Sequence, residues 1–203
     1  MDVQTCLKKL GYIGTLAFAT VDEFGNPQIR NVSAIHYEET SLYFFTAQGK
    51  NFCKELQSKK KVQILGLTKY KEMIRLSGDV VYLEGDESHK WRYIIFEEQP
   101  YLENVYPGDT RDIGAIFMIK DAVIEYFNLS VYPIFRESYV LGNGQLVQKG
   151  FHITDSCIAC GKCERGCPQK AITPGNSYLI HQENCLHCGR CAANCPVQAI
   201  EKL

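Results

Sequence analysis

A chain of 203 residues, 45% hydrophobic and 22% charged, has room for one medium domain and a small one, and its composition excludes disorder on a large scale. The formal charge of -1 lacks the basic surplus of a nucleic-acid-binding domain. No apolar run nears the roughly 18 residues of a membrane span, and Met1–Leu10 carries Asp2, Lys8 and Lys9 without the apolar stretch of a secretion signal, so a cytoplasmic protein with no membrane or nucleic-acid partner is expected.

In chain order, Met1–Leu10 is a short helix expected to stop at Gly11, and Gly14–Val21 is a strand. Asp22, Gly25, Asn26 and Pro27 supply turn chemistry before a strand over Gln28–Tyr37, which a turn at Glu38–Thr40 joins to a strand over Ser41–Thr46. Lys50–Lys59 places Phe52, Cys53 and Leu56 at helical spacing. Val62–Leu67 and Met73–Leu83 are strands, Asp86–Gln99 is a helix that Pro100 stops, and Ile113–Ile119 and Ala122–Leu129 are two further strand candidates. About six strands with few, short helices define an α+β domain built on a six-stranded antiparallel barrel over residues 1–129. Residues 130–152 form a connector in which Gly142-Asn143-Gly144 predicts a small hairpin, and residues 153–203 form a second, small domain.

That second domain contains an internal repeat at an offset of 28 residues. Cys157, Cys160, Cys163, Cys167 and Pro168 map onto Cys185, Cys188, Cys191, Cys195 and Pro196, and Ala171-Ile172 maps onto Ala199-Ile200, with a turn at Pro174-Gly175-Asn176 between the halves. Each run is C-x2-C-x2-C-x3-C-P, the pattern of bacterial two-cluster ferredoxins, in which the fourth cysteine serves the other cluster. Three thiolates on a tight loop reach three corners of one cubane, and the fourth, opening the next turn, points away. The pattern assigns Cys157, Cys160, Cys163 and Cys195 to one 4Fe–4S cluster and Cys167, Cys185, Cys188 and Cys191 to the other. Zinc is the competing reading, but it asks for two pairs of ligands where two complete quartets stand, and a disulfide scaffold suits small secreted domains. Gly161, Gly166 and Gly189 are expected to let backbone N–H groups approach sulfur, His187 to face solvent, with a hydrogen bond toward the second cluster as the alternative, and Cys6 and Cys53 to be small core residues.

Upstream, three segments carry a resemblance: Gly25-Asn26-Pro27-Gln28-Ile29-Arg30-Asn31-Val32, Leu42-Tyr43-Phe44-Phe45-Thr46, and Gly49-Lys50 opening a helix. With the order of elements, they make residues 3–128 resemble the FMN-binding split-barrel family of pyridoxamine 5'-phosphate oxidase and its flavin-reductase-like relatives. The resemblance implies FMN, a homodimer, and flavin contacts from Arg30, Asn31, Val32, Thr46, Gln48, Lys50 and Asn51. Charge alone suits this: Lys50 at a helix start and Arg30 with its planar fork can each serve an anion. The oxidase's longer arginine-bearing loop before its lysine is missing, so the resemblance does not extend to pyridoxamine phosphate oxidation. No Gly-x-Gly-x-x-Gly motif is present for a nicotinamide cofactor.

Together the two parts imply an iron–sulfur flavoprotein oxidoreductase that takes single electrons from a redox partner protein and reduces a small-molecule substrate in an anaerobic or microaerobic setting. No catalytic side chain is assigned. The alternatives are a non-enzymatic electron carrier or redox sensor whose barrel is a flavin- or haem-binding docking module, and a deazaflavin in place of FMN.

Overall fold

The computed structural model describes residues 1–175 and 177–203; Asn176, part of the expected turn between the repeats, lies outside the described residues. The chain divides into two compact units, one formed by Met1–Thr68, Ile74–Glu125 and Ser138–Gln145, the other by Lys69–Met73, Tyr126–Glu137 and Leu146–Leu203.

The first unit opens with α1 (Val3–Ile13), capped by Asp2, whose carboxylate accepts from the Thr5 N–H at 2.7 Å. The helix runs through Gly11 to Gly14, where φ of +75° and the N–H bond to Leu10 O end it. One helical glycine costs only about 1 kcal/mol, which burial of Cys6, Leu7 and Leu10 on one face offsets.

The strands are β1 (Leu16–Val21), β2 (Pro27–Val32), β3 (Ile35–Tyr37), β4 (Leu42–Ala47), β5 (Lys61–Leu67), β6 (Glu72–Leu83), β7 (Gly114–Asn128) and β8 (Phe135–Leu141). They form one eight-stranded sheet in the order β2-β1-β5-β6-β7-β4-β3, with β8 also paired to β7; the curled antiparallel half-barrel with short helices is the α+β fold expected. The segment 28–37 divides at Ser33-Ala34 into two strands, the two candidates over 113–129 fuse into one long strand, and the connector adds β8. The expected second limb of the 140–147 hairpin is not a strand; Leu141–Gly144 is a turn in which Gly144 N–H donates to Leu141 O at 3.2 Å.

The barrel core holds Leu16, Phe18, Leu42, Phe44, Leu56, Ile64, Ile74, Leu76 and Phe117, all essentially inaccessible to solvent. Phe44 packs edge-on to Phe18 at 5.1 Å and stacks on Phe117 at 5.6 Å. β4 is buried along its whole length, which explains its apolar run Leu42-Tyr43-Phe44-Phe45. Tyr43 and Phe45, on the opposite face from Phe44, meet Trp91, Ile95 and Phe96 of α3 (Gly85–Glu98) and Leu102 of α4 (Leu102–Val105), with Tyr43 stacked on Trp91 at 3.8 Å. α2 (Asn51–Lys59) contributes Phe52 and Leu56 to the core, and Cys6 of α1 and Cys53 of α2 are buried as well.

The second unit holds two small antiparallel pairs: β9 (Phe151–Ile153) with β12 (Ile200–Lys202), and β10 (Ile172–Thr173) with β11 (Leu179–Ile180). Short helices α5 (Lys162–Gly166) and α6 (Arg190–Ala193) lie within the two cysteine runs and carry Cys163 and Cys191. The repeat is conformational as well as compositional: left-handed backbone recurs at Ala159 and His187, Gly161 and Gly189, and Lys170 and Gln198, each pair 28 apart. The core consists of Cys163, Ile172, Ile180, Cys185 and Ile200. An arm from the connector is tied to this unit: Ile134 N–H donates to Gln169 Oε1 and its carbonyl accepts from Asn184 Nδ2, both at 2.8 Å, and Tyr132 O–H donates to Pro168 O at 3.2 Å.

Candidate metal centres and cofactor site

Each cysteine loop turns through left-handed residues that aim its thiols inward, and the two loops exchange their last ligand. One hollow is lined by Cys157, Cys160, Cys163 and Cys195 together with Ile153 and Tyr178. Another is lined by Cys167, Cys185, Cys188 and Cys191 together with Phe151 and Ile172. Among the described residues, no three His, Cys, Asp or Glu side chains close on one point as a single ion requires; each quartet surrounds a space instead, which suits a cluster with a ligand at every corner.

Backbone N–H groups reach the sulfurs in pairs. Ala159 donates to Cys157 Sγ and Ala199 to Cys195 Sγ in the first quartet, at 3.4 and 3.2 Å. His187 donates to Cys185 Sγ and Ala171 to Cys167 Sγ in the second, both at 3.4 Å. These donors are not the glycines singled out in the sequence. Gly161 and Gly189 instead cap α5 and α6 in left-handed geometry, and the sulfur bonds come from residues two positions earlier and from those following each Cys-Pro. Burial pushes the metal-free Cys163, Cys185 and Cys191 thiols up, so metal binding, which needs thiolates, releases protons.

His187 is half-buried rather than solvent-facing. Its Nδ1 lies 2.9 Å from Arg136 Nη1, and since a guanidinium only donates, Nδ1 accepts and the neutral ring carries its proton on Nε2. The same Arg136 nitrogen approaches Cys185 O at 3.4 Å.

The residues carried by the flavin resemblance fall into three places. Gln48, Lys50 and Asn51 come together at the exposed turn entering α2. There Gln48 N–H donates to Ile113 O at 2.9 Å, and Lys50 Nζ lies 5.8 Å from the Tyr106 ring centroid. Thr46 shares the barrel-facing side of β4 with Leu42 and Phe44 and is buried. On β2, Arg30 faces inward opposite Phe18 while Asn31, opposite Ala17, faces outward and is exposed; Val32 is buried beside Leu16. Successive strand residues point to opposite faces, so the Arg30 and Asn31 side chains cannot line one surface.

Arg30 is moreover engaged. Its Nη2 lies 2.8 Å from Glu55 Oε2, its Nη1 donates to Thr20 Oγ1, Thr20 donates in turn to Glu55, and its Cζ sits 4.5 Å above the Phe52 ring. Lys50 and the Asn51 and Phe52 amides that open α2 could therefore serve a flavin phosphate, whereas Cys53 N–H donates to Lys50 O at 3.0 Å and the Arg30 fork is held by Glu55. Thr20 and Glu55 were missed in the sequence. The signal for Glu55 was there: it falls on the buried face of α2 with Phe52 and Leu56, where a carboxylate needs a partner.

Residues 156–199 match the 4Fe-4S dicluster domain family. A ferredoxin of Acetivibrio thermocellus is 52% identical over 30 residues, covering 15% of this chain and 54% of the ferredoxin. A ferredoxin of Butyribacterium methylotrophicum is 52% identical over 32 residues, covering 16% and 58%. The matched stretch spans a little over half the length of these ferredoxins. The barrel is similar to a NimC/NimA family protein of Clostridium acetobutylicum, with 25% identity and TM-score 0.57 over 68% of this chain and 91% of that one. It is similar in fold to a pyridoxamine 5'-phosphate oxidase-related, FMN binding protein of Nostoc punctiforme, with 18% identity and TM-score 0.51 over 68% and 92%. Fold and site together define a split-barrel protein that carries a 4Fe–4S dicluster domain in its C-terminal segment.

Proposed function

We propose that this chain is an iron–sulfur flavoprotein oxidoreductase, passing electrons between two 4Fe–4S clusters and FMN to reduce a small-molecule substrate. The observation that carries this is the pairing of two complete thiolate quartets, each around its own hollow, with a barrel of flavin-binding fold. When bound, the clusters supply one-electron transfer and the flavin interconverts one- and two-electron chemistry. The chain's own contribution is placement. Cys157, Cys160, Cys163 and Cys195 hold one cluster; Cys167, Cys185, Cys188 and Cys191 hold the other. Lys50 and the α2 amides bind the flavin phosphate, with Gln48 and Asn51 beside them. Two-electron reduction of the substrate takes two single-electron donations from a redox partner protein and two protons from water. Val21, Ile29, Leu65 and Leu67, exposed on β1, β2 and β5, support assembly as a homodimer.

The engagement of Arg30 by Glu55 favours a second reading, in which the barrel holds no flavin and the chain is an electron carrier or redox sensor. Anaerobic purification, with iron, sulfide and flavin analysis and turnover with reduced ferredoxin as donor, separates the two. Eight irons and one flavin per chain with acceptor-dependent turnover support the oxidoreductase. Eight irons, no flavin and electron transfer only to a partner protein support the carrier. Zinc, or far fewer than eight irons, ends both.

A further inference from the structure

We propose that Arg136 makes the cluster held by Cys167, Cys185, Cys188 and Cys191 the first of the two to accept an electron. This rests on the two-cluster reading above. Within the repeat itself the quartets are closely matched. Each receives matched backbone N–H bonds to sulfur: Ala159 and Ala199 donate in one and His187 and Ala171 in the other, and Glu164 on Cys163 is matched by Ala192 on Cys191. Between its first and last cysteine each loop has the same formal charge: Lys162 and Arg165 against Glu164 in one, Arg190 in the other. Neither hydrogen bonding nor loop charge therefore separates them.

Arg136 breaks the symmetry, and it comes from outside the repeat. It lies in the connector arm, upstream of the residues that match the dicluster domain. Its guanidinium rests 5.5 Å from the Phe127 ring centroid and is half-buried. Its Nη1 contacts Cys185 O and His187 Nδ1, and His187 N–H in turn donates to Cys185 Sγ. A permanent cation thus sits on the loop that carries a ligand of the second cluster, where each added electron increases negative charge. The pseudo-equivalent service at the first quartet is Arg165, which donates to Cys160 O at 3.1 Å; that side chain is exposed, follows Glu164 in sequence and is screened by water. A partly desolvated charge acts more strongly than a hydrated one at similar range, so one-electron reduction is favoured at the second quartet. Electrons delivered to either cluster then collect there.

The test is a stepwise reductive titration of the anaerobic holoprotein with dithionite, followed by electron paramagnetic resonance and by paramagnetic NMR of the cysteine β-protons assigned to each quartet. Two distinct one-electron steps are expected, the Cys167/Cys185/Cys188/Cys191 protons responding first. Arg136→Gln lowers that step toward the other and leaves the other in place; Arg136→Lys, which keeps the charge, retains most of the separation. A single step in the native chain, first response at Cys157, Cys160, Cys163 and Cys195, or unchanged steps in Arg136→Gln at full iron content would each overturn the inference. An iron content far below eight in the native chain would overturn the cluster reading itself, separately from Arg136.

Discussion

At the scale of single residues, the Thr20–Arg30–Glu55 triad shows how a plausible ligand residue can be absorbed by structure. Glu55 has only 6% of its side chain exposed and Arg30 23%, so removing the arginine strands a carboxylate in a poorly hydrated place. Arg30→Ala is expected to cost on the order of 3 kcal/mol, and an Arg30→Met, Glu55→Met double substitution to recover most of that, because the pair's own desolvation cost disappears with it. Urea denaturation reads both. Any flavin content should survive Arg30→Met, Glu55→Met and fall in Lys50→Ala; flavin lost from the double variant alone would return the phosphate role to Arg30. The sequence supplied the charge of Arg30 and Lys50 but could not say which was already paired, since Glu55 lies 25 residues beyond Arg30 in the chain.

At the scale of elements, most strands and helices were legible from periodicity, and the misplacements have physical causes. The run 113–129 contains Lys120-Asp121, which resembles a turn, but both residues sit within the continuous strand β7. The turn that closes β8 uses this place: Asn143 N–H donates to Asp121 Oδ1 at 2.7 Å. Gly142 has φ of +56°, and a Cβ on Gly144 would overlap the Ala122 carbonyl. Main chain cannot move aside as a flexible side chain can, so Gly144→Ala is expected to lower stability by about 2 kcal/mol. Gly49→Ala, with nothing within 4 Å of the added atom, is expected to change it little. Equal thermal midpoints for the two variants would show that the 141–144 turn is not held against β7. The Gly-Asn-Gly signal announced a turn but not its partner, which is the middle of β7 rather than the next segment of chain.

At the scale of the molecule, the two units are stabilised by different means. The barrel unit has a contiguous aromatic and aliphatic core, whereas the buried cluster of the second unit, among the described residues, is built on Cys163, Ile172, Ile180, Cys185 and Ile200, with Ala171, Ala199, Ile134 and Tyr126 also buried, a small core for a segment of its size to stand alone. On the proposed two-cluster reading, cluster binding would supply much of its folding free energy. Chelating iron from the holoprotein under anaerobic conditions is expected to expose residues 146–203 to limited proteolysis while residues 1–68 and 74–125 stay resistant; protection of both units after iron removal would show that the second has a sufficient core. The cysteine spacing by itself determined the iron–sulfur character of the C-terminal segment, because ligand geometry is local: three thiols on one tight loop need only the loop's own residues. The succession of short strand candidates and turn residues likewise determined an antiparallel barrel, because strand and turn preferences are written in neighbouring residues. Only the tertiary structure decided that Arg30 is spent on Glu55, that Thr46 faces the barrel core, and that Arg136 reaches the loop of Cys185. Those pairings close over long stretches of chain, and electrostatic partners at such separations are chosen by which strand faces and arms meet in space, which no local pattern records.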